Sequence, residues 1–316
     1  MKKLYITVFV CCLLLVGCSG DRFTAINPHQ NFIASINILQ PSITFFDQQG
    51  EELTTWSFER AYTGGTLIQK DRILLYGHQL SEAHLYELST GKKVATIETG
   101  IGTTNAYYDK SEKKFFLTNS KSNKITSYDL QGNKLHDQKL HNYPMSMTAS
   151  NGLLYVVNYK DTVLSVVSME DLQVVDEWSI EKSSHGILIL EDKGVAWIGG
   201  HGEGNRPNET IDVYNLESGE KTVEIALPLM PVGIAQNGKE VAVISHGENK
   251  LYVTNEDGDI QWQAKIGANP FSVVYFQEYI AVAGYDDGMV YFVKDGRVVK
   301  KMTTSEGPFQ LIVRED

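Results

Sequence analysis

The hydrophobic pattern is clearest between Pro144 and Val167, PMSMTASNGLLYVVNYKDTVLSVV. Short runs rich in Val, Leu and Tyr alternate with turn residues. They predict a strand over Met145–Ala149, a turn at Ser150-Asn151-Gly152, strands over Leu153–Asn158 and Val163–Val167, and a polar loop between the last two. Much the same order recurs along the chain. The most regular marker is a hairpin turn after the third strand of each unit, where Gly or a substitute supplies positive φ. These turns end at Gly50, Gly91, Gly132, Asp171, Gly219, Gly258 and Gly296, so the steps between them are 41, 41, 39, 48, 39 and 38 residues. A unit of about 40 residues with four short strands is a propeller blade. Seven such units predict an all-β fold, a seven-bladed β-propeller over residues 32–316.

Within a unit the strands are named a to d outwards from the axis. Four a strands open on proline, at Pro144, Pro231, Pro270 and Pro308, where no ladder donor is lost. The last of them ends the chain without b, c or d strands. The first unit opens at strand b, Phe32–Ile38, and lacks strand a. The two halves complete one blade, so Phe309–Val313 is expected to pair with Phe32–Ile38 and close the ring, removing an open sheet edge.

The repeat resembles that of the YVTN family of seven-bladed propellers. Two units carry the likeness: Pro144 through Asn151-Gly152, Leu154-Tyr155-Val156-Val157-Asn158 and Val163, and Phe116-Leu117-Thr118-Asn119 through Asn123-Lys124-Ile125 to Tyr128-Asp129. Tyr252-Val253-Thr254-Asn255 repeats the letters, but on strand c rather than strand b. The resemblance implies the fold. It implies no chemistry, since propellers host unrelated functions.

The N-terminus follows a different pattern. Met1-Lys2-Lys3 precedes an apolar run, Leu4–Val16, that is too short for a comfortable membrane span and reads as a secretory signal over residues 1–17. It ends in Leu15-Val16-Gly17-Cys18, which resembles a bacterial lipobox. That resemblance implies lipidation of Cys18, residues 18–31 as lipidated N-terminus and tether, and an extracytoplasmic domain held at the cell membrane by its anchor. Acyl chains bury about 0.8 kcal/mol per CH₂, and stable attachment takes more than one. The remaining cysteines, Cys11 and Cys12, lie in the signal. The mature domain is thus expected to have no free thiol, disulfide or cysteine-based metal site.

Charge narrows the partners. The net charge is −11, from 28 Lys and Arg against 39 Asp and Glu. No long basic cluster is present, so nucleic acid is not an expected partner. Anionic lipid is expected to repel the domain, leaving the anchor as its membrane contact.

Candidate chemistry lies on the face formed by the b–c and d–a loops. The fifth b–c loop, Gly199–Thr210, is the longest and carries His201, Glu203 and Arg206. Insertions on one face of a repeat fold often mark its binding face. His78, His185 and His246 fall on the same face. The reading is a binding scaffold for a protein or cell-envelope ligand, with His78, His185, His201, Glu203, Arg206 and His246 as candidate ligand-binding residues and no cofactor. The alternative is a metal-dependent lyase or lactonase using His185, His201 and His246 from separate loops. Asp286-Asp287-Gly288 lacks the alternating carboxylates of a calcium loop and reads as a tight turn. No phosphate loop, nucleophile elbow or His-Glu-x-x-His motif is present. The aromatic residues read mostly as blade core.

Overall fold

The structure, a computed structural model, describes residues 22–315. The signal segment and Cys18 lie outside the described residues. The chain forms seven four-stranded antiparallel sheets, and the a strands are Gly64–Ile68, Thr103–Asp109, Pro144–Ser150, Ser184–Leu190, Pro231–Asn237, Pro270–Phe276 and Pro308–Arg314. This is the seven-bladed propeller that the repeat predicts.

Strands b and c read as near-continuous apolar runs because neighbouring blades cover both of their faces. Phe32–Asn37 and Ser42–Phe46 are buried along their whole length, whereas strand d of the same blade, Glu52–Ser57, is largely exposed. The core is divided accordingly into seven apolar clusters, one between each pair of adjacent blades. Pro308–Arg314 joins the sheet of Phe32–Asn37 with Ile33 opposite Val313 and Ala34 opposite Ile312. The last strand therefore closes the ring as expected.

The c–d turns have a side-chain cause as well as a glycine. Asp47 Oδ1 accepts from the amides of Gln49 and Glu51, Asp129 Oδ1 from Gln131 and Asn133, and Asn255 Oδ1 from Asp257 and Asp259. These Asx-type bonds set the turn locally. In blade 4 the left-handed residue is Leu172 (φ 62°), one position beyond Asp171. Leu172 is fully buried, and packing into the interface with blade 3 holds it there.

Two boundaries differ from the sequence reading. Residues 18–31 read as a tether, yet from Phe23 onward the chain lies on the outside of blades 1 and 2. Phe23 stacks on Trp56 with centroids 4.9 Å apart, its amide donates to Gly91 O, and Ile26 is buried. Apolar burial ties this stretch down. Gly199 and Gly200 read as loop, but they end strand b of blade 5, Val195–Gly200. A Cβ on Gly199 would fall 2.1 Å from Pro231 O, and one on Gly200 would fall 2.5 Å from Ser183 O. These glycines serve close packing. The insertion proper starts at His201 and folds into a small hairpin, Gly202–Glu203 against Arg206–Pro207.

Candidate functional site

Two positions of the repeat meet at the axial mouth on the b–c side. One is the residue directly after strand b: Ser120, Tyr159, His201, His246 and Tyr285 in blades 3 to 7. The other is the second residue of strand a: His185, Phe271 and Phe309 in blades 5, 7 and 1. Strand geometry puts each set at one height around the axis. His and aromatic residues take most of these positions, and His78 from the b–c loop of blade 2 and Tyr143 from the loop before strand a of blade 4 join them, so the mouth carries an almost continuous arc of rings.

The arc runs from blade 2 round to blade 1. His78 and Tyr143 are 6.1 Å apart between centroids, Tyr143 and Tyr159 are 6.0 Å apart, and Tyr159 and His201 are 6.1 Å apart. His201 lies 5.6 Å from both His185 and His246. His246 lies 4.6 Å from Phe271, which lies 5.0 Å from Phe309 and 5.4 Å from Tyr285. All of these side chains are partly buried.

The structure thus brings together His185, His201 and His246, with His78 further round the same arc. His78 Nε2 bonds Ser120 Oγ at 3.1 Å and Tyr143 OH at 3.3 Å. Glu203 and Arg206 stand apart on the exposed hairpin, where Glu203 pairs with Lys182 at 2.5 Å. The hairpin is fixed to the mouth through its base: Asn208 N donates to His201 O, and Met230 N to Asn208 O.

Backbone carbonyls fix the tautomers. His185 Nδ1 lies 3.1 Å from Val232 O, and His246 Nδ1 lies 3.1 Å from Pro270 O. A carbonyl only accepts, so each Nδ1 carries the proton and each neutral ring keeps an acceptor at Nε2. His201 Nδ1 is buried without a hydrogen-bond partner among the described residues. Burial, then the proximity of His185 and His246, lowers the His201 pKa to about 4. Burial also lowers His185, against the opposing effect of its bond to Val232 O. For His78 burial acts first and the charges of Lys121 and Lys160 second, again downwards. At neutral pH these three imidazoles are uncharged.

This arrangement makes acid destabilising. In the unfolded chain the His201 imidazole takes up its proton near pH 6.5, whereas the folded mouth resists until about pH 4. Stability is therefore complete above 6.5 and falls as the pH drops towards 4, because the unfolded state then binds more protons. Partial exposure moderates the effect, and we expect His201 to account for a loss on the order of 2 kcal/mol. Urea titrations across this range should show a flatter pH profile for His201→Asn than for the wild type. Identical slopes would contradict the assignment.

The arc can bind flat or apolar groups and accept hydrogen bonds. Among the described residues no three His, Cys, Asp or Glu groups converge so as to hold a metal ion. Asp287 Oδ2 accepts from Tyr291 OH at 2.6 Å and from Ala268 N at 3.1 Å, so it fixes a turn. A separate cleft of about 530 Å³ lies at the rim between blades 1 and 2, lined by Phe23, Phe58, Arg60, Tyr62 and His84. The residues missed at the mouth are Tyr143, Tyr159, Phe271, Tyr285 and Phe309. Aligning the units on the residue after strand b and the second residue of strand a would have gathered most of them.

Fold and site together define a seven-bladed β-propeller with an imidazole- and aromatic-lined mouth. No protein-family model matches the chain, and no curated protein matches it in sequence. Solved structures share the fold. A functionally unknown protein from Desulfotomaculum acetoxidans is 13% identical with a TM-score of 0.76, over 90% of this chain and 98% of the other. BamB from Moraxella catarrhalis is 12% identical with a TM-score of 0.60, over 92% and 88%. Virginiamycin B lyase from Staphylococcus aureus is 17% identical with a TM-score of 0.64, over 77% and 84%. At such identities the likeness is one of fold.

Proposed function

We propose that this protein is a membrane-anchored, extracytoplasmic binding scaffold that holds a protein or cell-envelope ligand at the axial mouth, with Cys18 as its lipid attachment. The observation that carries the reading is the arc from His78 to Phe309: partly exposed rings on a closed, rigid scaffold, with tautomers set by backbone carbonyls. Binding sites are typically concave, apolar and pre-formed, with a few placed polar groups. The lyase alternative has a neighbour in virginiamycin B lyase by fold, but among the described residues no three His, Cys, Asp or Glu side chains are placed to hold a metal ion.

A crosslinking pull-down from intact cells tests the reading. We expect a partner captured by the wild type and lost, or reduced about tenfold, in a Tyr159→Ala, Phe271→Ala double variant; a change of that size corresponds to about 1.4 kcal/mol. A second variant, Glu203→Ala with Arg206→Ala, asks whether the hairpin contributes. Equal capture by the wild type and the mouth variant would remove the mouth as the binding surface.

A further inference from the structure

Resting on that reading and naming the ligand class, we propose that the mouth takes a planar aromatic carboxylate, whose ring lies on Phe271 and Phe309 and whose carboxylate turns towards Lys121 and Lys160.

The aromatic part follows from what blades 7 and 1 place at the axis. At the second position of strand a, where the other blades have Gly65, Thr104, Met145, His185 and Val232, these two have phenylalanine. Their rings are 5.0 Å apart and inclined by 45°, and both remain partly exposed. His246 extends the same surface, 4.6 Å from Phe271 and inclined by 59°. Apolar rings facing water gain from being covered, and inclined rings offer a flat ligand both a face and an edge.

The carboxylate and its direction follow from the position one further along, two residues after strand b. Blades 3 and 4 place Lys121 and Lys160 there, both exposed, and blade 7 places Asp286 there. The Lys160 ammonium lies 4.5 Å above the Tyr143 ring, within the arc itself. Lys121 and Lys160 also act together on His78, so their fields overlap at this part of the mouth. In a chain with 39 acidic against 28 basic residues, two lysines at equivalent positions stand beside the aromatic arc, and Asp161 next to Lys160 is engaged by His141 at 3.5 Å. Asp286 on the far side disfavours the opposite orientation. The neutral His185 and His201 between the two ends present acceptors and no competing positive charge.

Calorimetry on the full chain in lipid nanodiscs, with empty nanodiscs as the baseline, tests this. The probes are benzoate, 2-naphthoate and anthracene-9-carboxylate, with 2-naphthylmethanol as the neutral counterpart of the second. We expect one saturable site for at least one acid and a preference of about fivefold for 2-naphthoate over the alcohol. Phe271→Ala should weaken both naphthyl probes about tenfold. Lys121→Gln with Lys160→Gln should erase the preference while leaving the alcohol's affinity in place. Thermal melts of each variant check that the fold persists. Absence of saturable binding by all three acids overturns the inference, as does equal binding of acid and alcohol by the wild type. If the acids fail while the pull-down still finds a partner lost in the mouth variant, this inference falls and the binding-scaffold reading stands.

Discussion

A chain ending at Gly307 will fail to reach the native fold. Pro308–Arg314 is the inner strand of blade 1, and it also ties that blade to both neighbours. Leu311, Ile312 and Arg314 are buried. Leu311 N donates to Ser272 Oγ in blade 7, while Gln310 Oε1 accepts from Gly65 N in blade 2 at 2.8 Å. The Arg314 guanidinium donates to Gln30 O, Lys70 O and Asn27 O and lies 4.5 Å over the Phe32 ring. Two buried aliphatic side chains contribute roughly 1.5–3 kcal/mol each. Hydrogen bonds from a buried charged group add about 1.5–3 kcal/mol apiece. The sum rivals the whole net stability of an ordinary domain, about 5–15 kcal/mol. The truncation also leaves Phe32–Asn37 as an unpaired apolar edge. Circular dichroism melts should show no cooperative transition, and the protein should aggregate. A native-like melt would contradict the closure.

Trp56→Ala should cost about 3–5 kcal/mol, the usual range for emptying a buried large aromatic site. Trp56 is fully buried, stacks on Phe23, packs 5.1 Å from Phe45 and 5.9 Å from Tyr86, and its Nε1 donates to Thr24 O at 3.0 Å. The variant therefore loses core packing and the dock of the N-terminal stretch at once. Two readouts separate these losses. Denaturant unfolding reports the first, and chymotryptic cleavage at Phe23 in the otherwise native protein reports the second. An unchanged midpoint together with an uncut Phe23 would sink the account of residues 23–26.

What was legible in the sequence depended on repetition. The seven turns, the proline-led a strands and the divided first blade recur or complement one another, so each unit corroborated the next. Features that occur once were harder to read. Phe23 and Ile26 pack on blades 1 and 2 but belong to no repeat, and they looked like tether. Gly199-Gly200 looked like a flexible loop because glycine signals a turn and close packing in the same letter. Leu172 takes a left-handed backbone that nothing in its side chain announces. At the mouth, the histidines stood out by residue type, and His185, His201 and His246 do meet. Tyr159, Phe271 and Phe309 were hidden among strand aromatics, since a ring at a strand end has the same letter whether it faces the core or the axis. Only the register within the blade separates the two.

The central claim is that the ligand sits on the axial mouth. The most direct measurement is site-specific photo-crosslinking in intact cells, with a photoreactive phenylalanine analogue at Phe271 and, in a second strain, at Glu170 on the exposed c–d turn of blade 4 at the opposite end of the strands. The account predicts a discrete crosslinked product from position 271 and none from position 170. A product from position 170 with none from position 271 would contradict it.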